Sequence, residues 1–159
     1  DESKRILKVL DDSAKELREL SHQMMPRALS ELGLIPAMED MLENSLGNSH
    51  IQYNFEFFGI DEKDRFHENI EISIYRISQE LINNVIKHSD AKEASIQIMK
   101  TGNQLILIIE DDGKGINSKP GKKGIGLLNI ASRVDTINGK VNYEPSPEGG
   151  TLATVKIPL

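Results

Sequence analysis

The stretch Leu105–Ala131, LILIIEDDGKGINSKPGKKGIGLLNIA, decides how this chain folds. It opens with an apolar run typical of a buried strand, and that run ends at three consecutive acidic residues, 110–112. Two glycine pairs follow, and a helical pattern begins after the second pair. The glycines are Gly113, Gly115, Gly124 and Gly126. Glycine permits close backbone approach, and a helix start offers unpaired N–H groups to an anion, so we predict a nucleotide site.

The composition is that of one soluble domain. The chain has 159 residues, of which 38% are hydrophobic and 28% charged, enough for one core and a helical appendage. No apolar run reaches the length of a membrane span, and no signal peptide is visible. We therefore expect a cytoplasmic domain without membrane contact, and leave open whether the parent protein is membrane-anchored. The absence of cysteine excludes disulfides and thiolate metal sites.

Charge argues for a small anionic ligand. The net charge of −6 argues against nucleic acid as the main partner. Four lysines nevertheless cluster between the glycine pairs, in a segment that we interpret as a lid. They are Lys114, Lys119, Lys122 and Lys123. A solubilising loop is the commoner explanation of such a cluster, and only the flanking glycines favour a polyanion held under a lid.

Hydrophobic periodicity predicts a two-layer α/β sandwich with an N-terminal helical extension. Helices are predicted at residues 1–25, 27–31, 36–43, 68–88 and 127–137. Strands are predicted at residues 51–58, 95–100, 104–111, 140–144 and 151–157. Turns or loops are predicted at residues 33–36, 44–50, 59–65 and 145–150. The first helix carries a single apolar stripe, which needs a partner, either another helix of the same chain or a second copy. The stripe consists of Ile6, Val9, Leu10, Leu17, Leu20 and Met24.

The polar face of the long helix at 68–88 holds a row of acid, amide and cation: Glu80, Asn84 and Lys87. Oxygen ligands suit Mg²⁺, which prefers to bridge to phosphates, and a lysine one turn along can bind a phosphate. For an isolated pattern of this kind a solvated helix face is the more common explanation. The adjacent Asn83 favours function slightly, because paired asparagines gain nothing in a helix. His88 by itself is more typical of a packed or helix-ending residue.

The acidic tip of the third strand is a candidate base-binding site. Asp111 stands at the strand end, where its carboxylate can accept a hydrogen bond from an exocyclic amine, while Asp112 points the other way. Gly113 and Gly115 let a ligand approach the backbone. Thr151 opens the final strand and can offer a hydroxyl to the same base. Each of these signals is weak alone.

Taken together and in order, these segments resemble the catalytic and ATP-binding domain of sensor histidine kinases, in the GHKL ATPase superfamily. The resemblance covers nearly the whole chain. Four motifs carry it, and their order and spacing are far more specific than each alone. They are QELINNVIKHSDA (79–91), EDDGKG (110–115), GIGLLNIASR (124–133) and GGT (149–151).

The resemblance implies a Bergerat-type ATP-binding fold and a role for each matched residue. Asn84 would coordinate Mg²⁺, with Glu80 as a second candidate ligand, and Lys87 would approach the phosphates. These three are the predicted catalytic residues. Asp111 would bind the adenine amino group, and Thr151 the base or its water. Gly113 and Gly115 would shape the pocket, and Gly124 and Gly126 would flank the lid. The remaining nucleotide-binding candidates are His88, Ile116, Lys123 and Leu127.

The segment RELSHQMMPRALSELGLIPAME (18–39) resembles the linker that leads into this domain in the NarL/LuxR-coupled class of sensor kinases. The lid of that class is short and lacks phenylalanine, and residues 116–123 of this chain are likewise few and contain no phenylalanine. In that class the phosphorylated histidine precedes an acidic residue on an earlier helix. His67-Glu68 is a histidine followed by an acidic residue, but it directly precedes the long helix at 68–88. His22 does not fit this pattern either, because it is followed by Gln23. We therefore expect residues 1–30 to be a partial dimerisation helix and linker, residues 31–159 the catalytic domain, and the phosphoacceptor helix to lie outside this chain.

Three functions follow, in decreasing order of preference. The first is a histidine-kinase catalytic domain of a homodimeric parent, which passes the γ-phosphoryl of ATP to a histidine on separate dimerisation helices and thence to a NarL/LuxR-type response regulator. This chain alone would bind ATP without phosphorylating itself. The second is an ATP hydrolase with Glu80 as general base. The third is a nucleotide-binding interaction module without turnover.

Overall fold

A computed structural model describes residues 2–23, 25–115 and 125–159, with only the backbone described at 18–23 and 125. The chain forms five helices and five strands within these ranges. The helices are α1 (Glu2–Gln23), α2 (Arg27–Leu32), α3 (Leu34–Ser45), α4 (Glu68–His88) and α5 (Ile125–Thr136). The strands are β1 (Gln52–Phe58), β2 (Glu93–Thr101), β3 (Gln104–Asp111), β4 (Lys140–Pro145) and β5 (Thr151–Pro158).

The strands form one mixed sheet in the order β1-β2-β3-β5-β4. β1 runs parallel to β2 because α4 carries the chain back to the same end of the sheet, and every other pairing is antiparallel. The predicted hairpin between β2 and β3 is confirmed. Its turn sets Thr101 opposite Gln104, and Gly102 takes a φ of 57° at the tip.

The core lies between one face of the sheet and the helices. Alternate residues of β2 and β3 are buried, as are the corresponding residues of β5. The apolar face of α4 packs on them through Ile74, Ile77, Leu81, Ile82 and Val85, all of which are buried. α4 also packs against α3 and α5. The predicted two-layer α/β sandwich with an N-terminal helical extension is confirmed.

Two boundaries predicted near α3 are wrong. α3 begins at Leu34, so the predicted turn at 33–36 shrinks to Gly33 with a φ of 95°, and the helix runs on to Ser45. The apolar pair Leu34 and Ile35 is fully buried, and this burial favours helix. Pro36 is tolerated in the first turn because the missing N–H has no helical partner there.

Arg65, in the segment before α4, forms an ion pair with Glu71 of α4 and hydrogen bonds to carbonyl groups of α2, and we call this group of contacts the Arg65–Glu71 clamp. Arg65 donates from Nε and Nη2 to the two carboxylate oxygens of Glu71, at 3.0 and 3.1 Å. Its Nη1 donates to the carbonyl of Ser30 at 3.2 Å, at the end of α2, and Phe66 N–H donates to Glu71 at 2.9 Å. Hydrogen bonding to Glu71 raises the pKa of Arg65. The clamp thus joins the helical extension to the sandwich.

α1 exposes its apolar stripe among the described side chains. Ile6, Leu10 and Leu17 are 55%, 60% and 68% exposed. Two stripe residues, Leu20 and Met24, have side chains outside the described part of the chain. The predicted boundary after residue 30 falls within α2, whose Leu29 is fully buried in the core. The division of the chain into an extension and a domain at that point stays a prediction. Across the described ranges, no helix is long and apolar enough to span a bilayer.

Candidate nucleotide-binding site

A cavity of about 590 Å³ opens between α4, the end of β3, the start of β5 and the start of α5. It is lined by most of the predicted site residues that the structure describes. These are Glu80, Asn84, Lys87, His88, Asp111, Gly115, Gly126, Leu127 and Thr151. Gly113 does not line it. Three other predicted site residues lie outside the described part of the chain: Ile116, Lys123 and Gly124.

α4 supplies one wall of the cavity. The helix begins after His67, whose Nδ1 accepts a hydrogen bond from the N–H of Asn69 at 3.2 Å. Since its apolar face is buried in the core, the row Glu80, Asn84 and Lys87 is turned toward the cavity. Glu80 and Asn84 are partly buried, while Lys87 is exposed. The wall therefore presents a carboxylate, an amide and a cation along one line.

Asp111 stands at the other side of the cavity, at the end of β3. Its side chain is buried, with 6% exposed, and its Oδ1 accepts a hydrogen bond from Gly113 N–H at 2.9 Å. Burial raises the pKa of this carboxyl, against the opposing effect of the backbone N–H groups of Gly113 and Thr151. A Cβ on Gly150 would overlap the carbonyl oxygen of Asp111, so glycine is required there. The carboxylate is thus held in place at the cavity wall.

Asp112 faces the opposite way, as predicted from the alternation of a strand. Its Oδ1 accepts hydrogen bonds from the N–H groups of Lys92 and Glu93, at 2.8 and 2.9 Å. These two hydrogen bonds lower the pKa of Asp112, and the bond from Glu93 has the larger effect. The carboxylate therefore ties β3 to the start of β2 and does not line the cavity.

The glycines of the two motifs differ in what they do. A Cβ on Gly113 would overlap the carbonyl oxygen of Ser89, so this glycine lets the strand end pack against the end of α4. Gly115, with a φ of 79°, does line the cavity. A Cβ on Gly126 would overlap Oε1 of Glu80, so the first turn of α5 lies directly against that carboxylate.

Sequence reasoning missed several residues that line the cavity. Lys114 pairs with Asp90 at 3.2 Å at the cavity mouth, although Lys114 was counted only as part of the lysine cluster. Tyr143 reaches the cavity from β4, and burial raises the pKa of its hydroxyl. No sequence signal points to Tyr143, because the order β3-β5-β4 brings β4 near the site only in the folded sheet. The apolar wall comes from Leu81, Val85, Ile109 and Ala153.

The donor set fits a magnesium ion that travels with a phosphate chain. Among the described residues no group of three or more histidine, aspartate or glutamate side chains is placed to hold a metal. Glu80 and Asn84 offer two oxygen ligands on one helix face. Mg²⁺ commonly uses one or two protein oxygens and takes the rest from water and substrate phosphates.

Comparison with known proteins gives a consistent result. The family model described as "Histidine kinase-, DNA gyrase B-, and HSP90-like ATPase" matches residues 69–159. The signal transduction histidine-protein kinase/phosphatase DegS of Bacillus subtilis is 33% identical over 139 residues, which cover 84% of this chain and 36% of DegS. DegS of Brevibacillus brevis is 29% identical over 159 residues, which cover 99% of this chain and 41% of that DegS. The chain spans about two fifths of the length of these relatives.

Solved structures agree on the fold. The histidine kinase AdeS of Acinetobacter baumannii superposes with a TM-score of 0.61 at 21% identity, over 96% of this chain and 79% of AdeS. The ATP binding domain of PrrB from Mycobacterium tuberculosis superposes with a TM-score of 0.59 at 17% identity, over 79% of this chain and 90% of the PrrB domain. At these identities the likeness establishes the architecture alone.

Proposed function

Because the chain belongs to the histidine kinase-, DNA gyrase B- and HSP90-like ATPase family, we propose that it is the ATP-binding catalytic domain of a two-component sensor histidine kinase. The observation that carries this proposal is the arrangement of the cavity. A buried carboxylate, Asp111, lies on one side, and the row Glu80, Asn84 and Lys87 lies on α4. An adenine amino group and a magnesium-bound triphosphate need these two kinds of partner.

Each side chain has a chemical task in this proposal. Asp111 accepts a hydrogen bond from the adenine amino group, and Thr151 contacts the base or its water. Asn84 and Glu80 would hold Mg²⁺, which would neutralise charge on the phosphates, and Lys87 would contribute a further positive charge. The remaining contacts come from His88, Gly115, Gly126 and Leu127, which line the cavity, and from the sequence candidates Gly113, Ile116, Lys123 and Gly124.

Catalysis in this proposal is positioning and charge neutralisation. The bond between the γ-phosphorus and its bridging oxygen breaks, a bond from phosphorus to a histidine nitrogen forms, and ADP leaves with the electron pair. The accepting histidine lies on a separate helical segment of a dimeric parent. The exposed stripe of α1 is a surface on which such helices would pack. We propose a cytoplasmic domain and a NarL/LuxR-type response regulator as the next acceptor, in keeping with the likeness to DegS.

Calorimetric titration with a non-hydrolysable ATP analogue tests the proposal. We expect saturable binding that strengthens with Mg²⁺ and is lost in Asp111→Asn. The amide oxygen of asparagine is a weaker acceptor than a carboxylate, and its NH₂ group is a donor that cannot bond to the adenine amino group. The matched control is Asp112→Asn, which removes the same charge one residue away from the cavity. Equal loss of binding in both variants, or no binding by the wild type, would contradict the proposal.

ATP hydrolysis is a second candidate function, because the Glu80 carboxylate lines the cavity beside the start of α5. A carboxylate in that place can accept a proton from an attacking water. A substantial rate of phosphate release that Glu80→Gln abolishes, with nucleotide binding retained, would favour hydrolysis. A negligible rate in the wild type would favour phosphoryl transfer to an external histidine.

A further inference from the structure

A second cavity, of about 310 Å³, lies between α3, α4 and α5. It adjoins the nucleotide cavity, and two α4 residues, Glu80 and Asn83, line both. None of the roles proposed above for nucleotide binding uses the remainder of its lining. We call it the arginine cavity, because Arg76 from α4 and Arg133 from α5 both line it.

The lining of the arginine cavity is rich in hydrogen-bond donors. Arg76 donates from Nη1 to Oε1 of Gln79 at 2.9 Å, and both arginines also interact with other groups of the chain. Side-chain amides come from Gln79, Asn83 and Asn129. Both arginines are partly buried. With the hydroxyl of Ser45, six donor-bearing side chains thus line a space large enough for a small polar molecule.

Charge in the cavity is positive, although the whole chain is acidic. Two guanidinium groups face one carboxylate, that of Glu80, in a chain of net charge −6. Burial lowers the pKa of Arg133, and the nearby charge of Arg76 lowers it further, while Glu80 acts in the opposite direction. The two arginines therefore repel each other across a partly desolvated space. An oxyanion between them would replace that repulsion with charge-assisted hydrogen bonds.

We propose that the arginine cavity binds a small oxyanion, a phosphate or a carboxylate group, between Arg76 and Arg133. Guanidinium groups match both anions because they present paired N–H donors in a plane. Since Glu80 and Asn83 line both cavities, an anion here changes the affinity for nucleotide, and nucleotide changes the affinity for the anion by the same factor.

The test is calorimetric titration of the chain with inorganic phosphate and, separately, with acetate, in the presence of saturating ADP. ADP occupies the adenine and diphosphate positions of the nucleotide cavity, so further anion binding reports on the arginine cavity or on the vacant γ-phosphate position, and the variants described below distinguish the two. We expect saturable binding of at least one anion, and the anion that binds identifies the chemistry of the site. Binding of neither anion would overturn the proposal, and so would phosphate binding whose affinity falls without limit as the ADP concentration rises, since two coupled sites change each other's affinity only by a fixed factor. If ADP itself does not bind, the proposed function fails, and the same titration of the ADP-free chain still tests the anion site.

Three variants locate the site. Arg133→Gln is expected to weaken anion binding by about tenfold or more, since it removes a charge-assisted hydrogen bond. Arg27→Gln is the matched control, because its side chain is 88% exposed on α2, and it should leave anion binding unchanged. Asn129→Asp adds a negative charge at an exposed position on α5 that lines the cavity while both arginines stay, and it should also abolish binding. Unchanged anion binding in folded Asn129→Asp and Arg133→Gln would refute the site.

Discussion

Two glutamates nine residues apart on α4 have opposite surroundings. Glu71 is fully buried, and both of its carboxylate oxygens accept hydrogen bonds within the Arg65–Glu71 clamp. Glu80 is partly buried and faces two cavities. A buried charge that the chain satisfies completely holds the fold together, whereas a charge turned to a cavity can serve a ligand. We therefore assign Glu71, in the first turn of α4, to the structure and Glu80, further along the helix, to the candidate site.

The largest effect is expected from breaking the clamp. Arg65→Gln leaves the Glu71 carboxylate buried without its cation, and we expect the free energy of unfolding to fall by about 3 kcal/mol. The variant that remains folded should bind nucleotide with unchanged affinity, because the clamp lies outside the cavity lining. Urea denaturation and calorimetry measure the two quantities. A loss of nucleotide affinity without a loss of stability would contradict the assignment of Glu71 to the structure and of Glu80 to the candidate site.

A smaller effect on stability is expected where strand and cavity meet. In Gly150→Ala the new Cβ overlaps the carbonyl oxygen of Asp111, and relieving that overlap should cost about 2 kcal/mol of stability. The displaced carboxylate should also bind nucleotide at least about tenfold more weakly, since one misplaced charge-assisted hydrogen bond accounts for that factor. Gly102→Ala is a useful control, because a Cβ there meets open space and the residue does not line the cavity, although its φ of 57° adds a backbone strain of its own. Equal effects on nucleotide affinity in the two variants would contradict this explanation.

The two neighbouring aspartates should respond to pH in opposite directions. The pKa of Asp112 is lowered, so its contribution to stability is present above the ordinary value of 3.8 and is lost as the pH falls through the folded value. Because solvent screens this exposed carboxylate, Asp112→Asn should cost less than about 1 kcal/mol at pH 7, and nothing once the carboxyl group is protonated in acid. Urea denaturation between pH 7 and pH 2.5 measures this difference.

Asp111 has a raised pKa, so its contribution is fully present below 3.8 and is lost as the pH rises through the folded value. Asp111→Asn should accordingly be at least as stable as the wild type at pH 7, and this advantage should disappear in acid. A stability cost at pH 7 in Asp111→Asn equal to that in Asp112→Asn would show that both carboxylates are structural.

The smallest effect is expected at the surface pair of α2. Arg27 and Glu31 lie 2.8 Å apart, with side chains 88% and 56% exposed. Glu31→Gln should change the free energy of unfolding by less than about 0.5 kcal/mol. The same urea denaturation measures this change. Comparison with Arg65→Gln then shows how much the burial of the partner carboxylate contributes to the stability that an ion pair provides. A cost above about 1 kcal/mol would mean that exposure is the wrong criterion for ranking these ion pairs.

Local patterns were sufficient for the elements with strong periodicity. α4 was predicted with its observed bounds, and so was the turn of the β2–β3 hairpin, because each depends on neighbours in the sequence. The start of α3 was misjudged because Gly33 and Pro36 signal a turn locally. Burial of Leu34 and Ile35, which only the folded core provides, favours helix instead. The candidate site shows the same division. Its α4 row and Asp111 were found from motif order, whereas Tyr143 and the pairing of Lys114 with Asp90 were not.

The sequence by itself determined the chemical groups of this protein: the acid, amide and cation at successive turns of one helix, the aspartate at a strand end and the glycines beside it. Periodicity places such groups on a face because helix and strand geometry are local. Only the tertiary structure decided which carboxylates are bonded within the chain and which face a cavity, and that β4 and the two arginines stand beside the nucleotide cavity. Those outcomes depend on strand order and on how α3, α4 and α5 pack, which bring together residues far apart in the chain.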